Sequence, residues 1–103
     1  MDNTIARDVF TSFVRVHLLH HAAQGPIFGV EMIAELGRHG YVLSPGTLYP
    51  ILHGLEAAGL LKSSGKVVGG KARKYYTVTA KGRRVLAEVK QKIRELIGEV
   101  LEE

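Results

Sequence analysis

The first long element that the hydrophobic pattern predicts is a helix over residues 5–23, a stretch without proline or glycine. Apolar side chains surround most of it, and the polar side takes up only about a third of the circumference at 100° per residue. That polar side consists of Arg7, Asp8, Thr11 and Arg15. A helix so broadly apolar in so short a chain is best explained if one face packs on its own domain and another on a second subunit.

Two shorter helices follow. The second is predicted from Gly29 to His39, since apolar residues recur at three-residue spacing and a glycine ends it. The third begins at Pro45, where Ser44 is expected to supply a capping oxygen. One face of the third helix carries Leu48, Ile51, Leu52 and Leu55, and the outward face carries Gly46, Tyr49, Pro50 and His53. Small residues and free N–H groups at a helix N-terminus suit phosphate oxygens. Tyr49 has two interpretations, as part of this outward face or as a cover for the edge of the core.

After the third helix the pattern changes from helix to strand. β-branched and aromatic residues accumulate in two runs, 60–68 and 73–79, on either side of a glycine-rich tip at 69–72, which predicts a hairpin. A last helix is predicted over 80–102, with Thr79 as its cap. Its apolar stripe consists of Leu86, Val89, Ile93, Leu96 and Val100. About 23 residues at 1.5 Å each span about 35 Å, more than so small a core covers, so we expect this stripe to pack on a second subunit.

The composition bounds the class of protein. A chain of 103 residues, 46 % of them hydrophobic, makes one small domain. No run approaches the roughly 18 apolar residues that a membrane span needs, and the N-terminus lacks the order of a signal peptide, so we expect a cytoplasmic protein without membrane contact. The absence of cysteine excludes disulfides, thiolate nucleophiles and cysteine-based zinc sites.

The positive charge is concentrated in one segment. The net charge is +4, and residues 62–84 contain no acidic residue. The cations of this segment are Lys62, Lys66, Lys71, Arg73, Lys74, Lys81, Arg83 and Arg84. A local basic patch is what polyanion binding requires, although a solvated charged face has the same composition. Its place on a hairpin favours binding.

Three helices followed by a basic hairpin form a winged helix-turn-helix, mainly α with a small β-hairpin, in which the third helix enters the DNA major groove and the wing lies along the backbone or minor groove. We assign residues 1–79 to this DNA-binding domain and 80–103 to a C-terminal dimerisation helix. The predicted contacts to double-stranded DNA are Ser44, Gly46, Thr47, Tyr49, Pro50 and His53, with Lys62, Lys66, Lys71, Arg73 and Lys74 on the wing. We expect modest direct readout of bases and two half-sites about one helical turn apart.

The third helix and the hairpin also carry a family signature. Residues 46–60 read GTLYPILHGLEAAGL, which resembles the G-x-LYP-x-L-x-x-LE-x-x-GL pattern of PadR-like transcriptional regulators. Residues 69–83, GGKARKYYTVTAKGR, resemble the wing of that family and its exit into the last helix. Before the second helix the family often has GPxxGYE, where this chain reads GPIFGVE, with Val30 in place of the aromatic residue.

The resemblance implies a sequence-specific DNA-binding regulator that acts as a homodimeric repressor, with dimer contacts from the last helix and no large C-terminal domain. A small aromatic effector would release such a repressor. The chain has no tryptophan, so a pocket of stacked indoles is not available. A cleft between subunits would instead be lined by Phe10, Phe13, His17, Val89 and Ile93. The alternative is that these residues only fill the dimer core.

Other functions have weaker support. Residues 65–72, GKVVGGKA, nearly match a phosphate-binding P-loop, but Ala72 replaces the Ser or Thr that binds Mg²⁺, and a strand follows. His17, His20 and His21 have a helical spacing that could present imidazoles to a metal, so a metal-responsive regulator is one alternative. A winged-helix protein-interaction module is another, which the eight cations argue against. No catalytic triad or carboxylate pair is evident, and we expect no enzymatic activity, cofactor or metal.

Overall fold

The computed structural model describes residues 4–102 and contains the four helices and the hairpin that the sequence predicts. The elements are α1 (Thr4–Gln24), β1 (Ile27–Phe28), α2 (Gly29–Arg38), α3 (Pro45–Ala57), β2 (Leu61–Val68), β3 (Lys71–Val78) and α4 (Ala80–Val100). The predicted fold class, mainly α with a small hairpin, is confirmed. Among residues 4–102, no helix is both long and apolar enough to cross a membrane.

The sheet has one strand more than the predicted hairpin. Its order is β1-β3-β2, with both pairs antiparallel. In the short strand β1, Ile27 pairs with Tyr76 and Phe28 with Tyr75. Two residues are too few to show an alternating pattern, so β1 was not predicted. It ties the segment between α1 and α2 to the wing, the name used here for the β2–β3 hairpin (residues 61–78).

Strand pairing in the wing extends further toward the tip than expected, and the turn is tighter. Pairing continues to Val68 opposite Lys71, which leaves only Gly69 and Gly70 in the turn. Both glycines have positive φ, 58° and 79°, as a two-residue type I′ turn requires. The prediction that Lys71 and Ala72 belong to the tip was therefore wrong, because a type I′ turn matches the twist of the strands with no further loop residues.

The core lies where α1, α2 and α3 meet the inner face of the sheet. Its fully buried members come from every part of the chain before α4. They are Val14, Leu18, Leu36, Leu48, Leu52, Leu61 and Tyr76. On α3, Leu55 is also buried and Ile51 is partly buried, so the predicted inward face of this helix is confirmed.

The start of α3 differs in one detail from the prediction. Ser44 is the N-cap residue, but its side chain makes no capping hydrogen bond. Its hydroxyl lies 3.3 Å from the Thr47 hydroxyl, and its backbone carbonyl accepts from the N–H groups of Thr47 and Leu48. The prediction that the Ser44 side chain caps α3 was wrong, because the two hydroxyls pair with each other. The helix continues through Pro50 without a break.

The base of α4 is locked onto the C-terminal end of α3. Thr79 caps α4 as predicted, accepting a hydrogen bond from the Gly82 N–H at 2.9 Å, and its hydroxyl donates to the Gly59 carbonyl at 2.6 Å. Lys81 donates to the Ala58 carbonyl at 2.9 Å. A Cβ on Gly82 would lie 2.2 Å from the Leu60 carbonyl oxygen, so only glycine fits this approach. We call these contacts the α3–α4 junction.

Candidate nucleic-acid interface

Strand register divides the cations of the wing between two faces. Residues directly opposite each other share a face, and successive residues alternate. Lys66 lies opposite Arg73, Lys62 opposite Thr77, and Lys71 opposite Val68. Lys62, Lys66, Lys71 and Arg73 therefore all project from the outer face, which points away from the core.

Lys74 projects from the inner face instead. It shares this face with the buried Tyr76, and its ammonium lies 5.5 Å from the centre of the Tyr76 ring. The ammonium is also 3.8 Å from a carboxylate oxygen of Glu56 on α3, and the Ser63 hydroxyl donates to the other oxygen. These contacts hold the pKa of Glu56 below its ordinary value, the Ser63 hydrogen bond first and the Lys74 charge after it. Lys74 therefore connects the wing to α3.

Two cations after the wing also have partners within the fold. Lys81 bonds the Ala58 carbonyl, and Arg83 donates to the Ala23 carbonyl at 3.3 Å. Across the described range 4–102, by contrast, the four outer-face cations of the wing make no hydrogen bond or ion pair. Of the eight cations in the sequence, the ones without a partner in residues 4–102 are therefore these four, along one side of the hairpin, and Arg84 on α4.

An aromatic pair that the sequence did not indicate lies at the base of this outer face. Phe28 on β1 and Tyr75 on β3 have ring centres 6.0 Å apart, and with Pro26 and Lys66 they line a shallow depression of about 280 Å³. The pair exists only because β1 joins the sheet. The depression combines a cation with two partly buried rings, a surface suited to sugar and phosphate.

The outer face of α3 is polar and small. Ser44, Gly46, Thr47, Pro50 and His53 are all exposed there, as predicted. Only His53 combines a polar group with reach, since the hydroxyls of Ser44 and Thr47 are short and paired. The backbone at the start of this helix is accordingly open to a close approach.

Tyr49 does not project from that face as its neighbours do. It is partly buried and packs against the core. A Cβ on Gly29 would lie 2.5 Å from the Tyr49 hydroxyl, so the ring rests on the first residue of α2. This position matches the second interpretation of Tyr49, as a cover for the edge of the core, and it fixes α3 against α2.

A large apolar cleft of about 550 Å³ runs between α1 and α4. Of the predicted effector residues, Phe13, His17 and Ile93 line it, whereas Phe10 packs on Tyr41 with ring centres 5.1 Å apart and Val89 lines a neighbouring groove. Of the predicted dimer residues, Leu86 lines the cleft but is already buried in its own domain. Residues at the far end of the cleft are exposed: Leu96 at 54 %, Ile97 at 37 %, Val100 at 58 % and Leu101 at 73 %.

The three histidines considered for a metal separate in the structure. His20 lines the α1–α4 cleft. His17 and His21 meet His39 from α2's C-terminal cap, and these three can bring ligand atoms within 4.8 Å of one another. The group predicted from helical spacing alone, with His20 as a member, is therefore not the one that forms.

Comparison with known proteins agrees with the fold and the signature. Residues 18–88 match the model of the transcriptional regulator PadR-like family. The chain is 50 % identical over 95 residues to the transcriptional regulator Rv3488 of Mycobacterium tuberculosis, covering 92 % of this chain and 89 % of that protein. The crystal structure of a PadR family transcriptional regulator from Eggerthella lenta superposes with a TM-score of 0.80 at 32 % identity, covering 97 % of this chain and 91 % of that one. A PadR-like transcriptional regulator from Bacillus cereus gives 0.79 at 27 % identity, covering 93 % and 98 %. With its winged helix, its signature and these relatives, the chain belongs to the PadR-like family of transcriptional regulators.

Proposed function

We propose that this regulator is a homodimeric, sequence-specific DNA-binding repressor. The observation that carries the proposal is the sorting of wing cations: Lys74 is paired inside the fold, while the four outer-face cations have no partner in the part of the chain described. Four unpaired positive charges on one hairpin face repel one another, and bound phosphates would neutralise that repulsion. The wing then supplies affinity, and α3 lies in the major groove.

The wing contacts supply affinity, whereas the α3 contacts supply only limited sequence information. Thr47 and His53 are the exposed side chains that can reach base edges or phosphates, while Gly46 and Pro50 shape the approach and Ser44 borders it. Tyr49 remains one of the proposed DNA contacts, and its hydroxyl lies where α2 meets α3. With so few long polar groups, DNA shape and the spacing of two half-sites provide the remaining specificity.

The dimer in this proposal covers the exposed stripe of α4. Ile93, Leu96, Ile97 and Val100 pack against α1 and α4 of the partner, and Val89 borders the contact. Exposed aliphatic side chains in such a row cost free energy in water, about 25 cal/mol for each Å² that a partner would bury. Leu86 contributes to its own core instead, so the dimerisation segment begins beyond it and residues 80–88 belong with the winged helix.

A salt titration of DNA binding tests the wing. We expect Lys66→Ala and Arg73→Ala each to weaken binding to specific and scrambled duplexes alike and to flatten the plot of log affinity against log salt by about one unit. Arg94→Ala, which removes the same charge from an exposed position on α4, is the matched control and should leave the slope unchanged. Unchanged affinities for both duplexes in both wing variants would refute a DNA wing. No affinity of the wild type for any duplex would favour a protein-interaction module.

Release by a small aromatic effector is a second, separate proposal. The α1–α4 cleft supports it, since its walls are apolar and its volume of about 550 Å³ lies within the range of small-molecule sites. Phe13, His17 and Ile93 would contact the ring. Phe13→Ala should abolish the heat of binding of a phenolic acid probe while leaving operator affinity intact, and a dimer whose interface fills the cleft would contradict the proposal.

A further inference from the structure

A cluster of three histidines and one carboxylate lies where α1 meets the end of α2. His20 lies beside this cluster, with its ring centre 5.2 Å from that of His21. His17 and His21, one turn apart on α1, face His39, which caps α2. The rings of His17 and His39 are stacked with centres 4.9 Å apart, and those of His17 and His21 are 6.4 Å apart. Glu35, one turn before His39, brings a carboxylate oxygen to 3.0 Å from His39 Nε2 and 3.6 Å from His21 Nε2.

The surroundings of two of these imidazoles, His17 and His21, lower their pKa. Burial lowers the pKa of His17, and the neighbouring rings of His39, His21 and His20 lower it further. Burial also lowers the pKa of His21, against the opposing effect of Glu35. A neutral imidazole has a ring-nitrogen lone pair, which is the group that a metal ion binds.

We propose that His17, His21, His39 and Glu35 form a binding site for a divalent first-row transition metal such as Zn²⁺. Imidazole nitrogen with one carboxylate oxygen is a donor set that suits zinc and its neighbours. Ligands about 2.0–2.1 Å from a tetrahedral ion are about 3.4 Å from one another. The two Glu35–histidine distances of 3.0 and 3.6 Å already bracket that spacing, and ligand atoms within 4.8 Å reach it by side-chain rotation.

Two neighbours hold the ligands in place. Arg38 donates to the Glu35 oxygen that does not face the histidines, so the other oxygen stays directed at them. The Tyr41 ring packs edge-on against His17 with centres 5.3 Å apart and limits its rotation. Partners of this kind orient metal ligands and raise their affinity.

The site joins the helix of the proposed dimer interface to the end of α2. His17 and His21 lie on α1, and His39 precedes the turn that leads into α3. A bound ion would fix α2 and α3 relative to α1. If the chain is the DNA-binding dimer proposed above, metal occupancy therefore sets the relative position of the two recognition helices.

Metal binding is tested on the full, untagged chain by calorimetry with Zn²⁺ and by visible spectroscopy with Co²⁺, whose d–d bands report its coordination. We expect one ion per chain and a Co²⁺ spectrum of four-coordinate type. His39→Ala should weaken Zn²⁺ by at least about 100-fold, and Glu35→Gln by about 10- to 100-fold. His39 is exposed, so its variant should fold, and circular dichroism checks this.

His20→Ala is the matched control, since it removes a histidine from the same helix but not from the cluster. It should bind Zn²⁺ as the wild type does. Absence of stoichiometric binding by the wild type would overturn the proposal. So would an affinity lost in His20→Ala but kept in His39→Ala, which would assign the metal to α1 alone.

The regulatory consequence has its own readout. Operator affinity is measured with and without saturating Zn²⁺ in the wild type and in His39→Ala. A change of about tenfold in the wild type alone, typical of allosteric coupling, supports coupling, and equal affinities overturn it while leaving the calorimetric site intact. Failure of every sample to bind DNA would count against the proposed function only.

Discussion

The wing and the far half of α4 (residues 89–100) both extend away from the core, with opposite chemistry. On the wing, the exposed side chains other than Val67 and Val68 are charged, small or hydroxylic, and its two strands pair with each other along their whole length. On α4, Leu96 and Val100 are more than half exposed although α1 provides a partial wall beside them. The wing can stand in water unaided, whereas the α4 stripe cannot remain there without cost.

The difference teaches what each extension is able to bind. An unopposed row of cations gains most from a polyanion, and a row of aliphatic side chains gains most from another apolar protein surface. Both surfaces share one small core, so in the proposed dimer the contacts made by α4 would bring two wings to one ligand. The following predictions test this division, from the largest expected effect to the smallest.

Leu96→Asp should break the dimer. In a two-fold interface the substitution acts twice, and each lost apolar side chain costs about 2 kcal/mol, so the dissociation constant should rise about a thousandfold. Sedimentation velocity measures this. Gln91→Asp places the same charge on an exposed position of the same helix and should leave the dimer intact. A Leu96→Asp protein that still sediments as the wild type would mean that α4 is not the interface.

Gly82→Ala should disrupt the α3–α4 junction, which connects the two regions. The new methyl group would collide with the Leu60 carbonyl and with Val78, 2.8 Å away, and the backbone must move, at a cost of about 3 kcal/mol in the free energy of unfolding. Urea denaturation gives the value. At Gly98 nothing lies within 4 Å of an added Cβ, so Gly98→Ala should stabilise the helix by up to about 1 kcal/mol. Equal effects at the two positions would refute the close approach.

Gly70→Ala should loosen the tip of the wing without disturbing the core. Alanine at φ of 79° is strained by about 1 kcal/mol, and this strain falls on a hairpin end far from buried residues. Amide exchange should speed up in residues 66–73 and stay unchanged in α3. Gly65→Ala, within β2 and with free space around its Cβ, is the control. Slowed exchange, or a change spread over the whole domain, would contradict a locally stable wing.

Glu56→Gln should remove a small acid sensitivity from the contact between wing and α3. Because the folded-state pKa of Glu56 lies below its ordinary value of 4.5, its contribution to stability is present above that value and lost as the pH falls through the folded pKa. The melting temperatures of wild type and variant should therefore differ at neutral pH and converge in acid. A gap that stays constant across this range would show that the carboxylate charge is not what ties the wing down.

Local signals in the sequence predicted most of the fold. Helical spacing located the four helices, and the cap at Thr79 and the paired glycines at 69–70 were correct because each depends on neighbouring residues alone. The strand β1 escaped prediction because its pairing with Tyr75 and Tyr76 is a contact across almost half the chain. The role of Lys74 escaped for the same reason, since its partner Glu56 belongs to another element.

Side-chain clusters were the least predictable feature. His17 and His21 were visible as a pair on one helix, but nothing in the local pattern connects them to His39. Tyr49 had two interpretations that only its contact with Gly29 could separate. Phe10 and Val89, predicted to line a cleft between two subunits, lie outside the α1–α4 cleft of the single chain, and their place in such a cleft stays a prediction.

The α3–α4 junction has a geometric consequence for any DNA that this protein binds. The contacts of Thr79, Lys81 and Gly82 leave no hinge between the end of α3 and the start of α4. In the proposed dimer, the length of α4 and its rotation about the helix axis then set the distance and phase between half-sites. One residue inserted between Leu86 and Val89 would advance the far stripe by about 1.5 Å and turn it by about 100°, presenting two intact DNA-binding units at a spacing that no single operator matches.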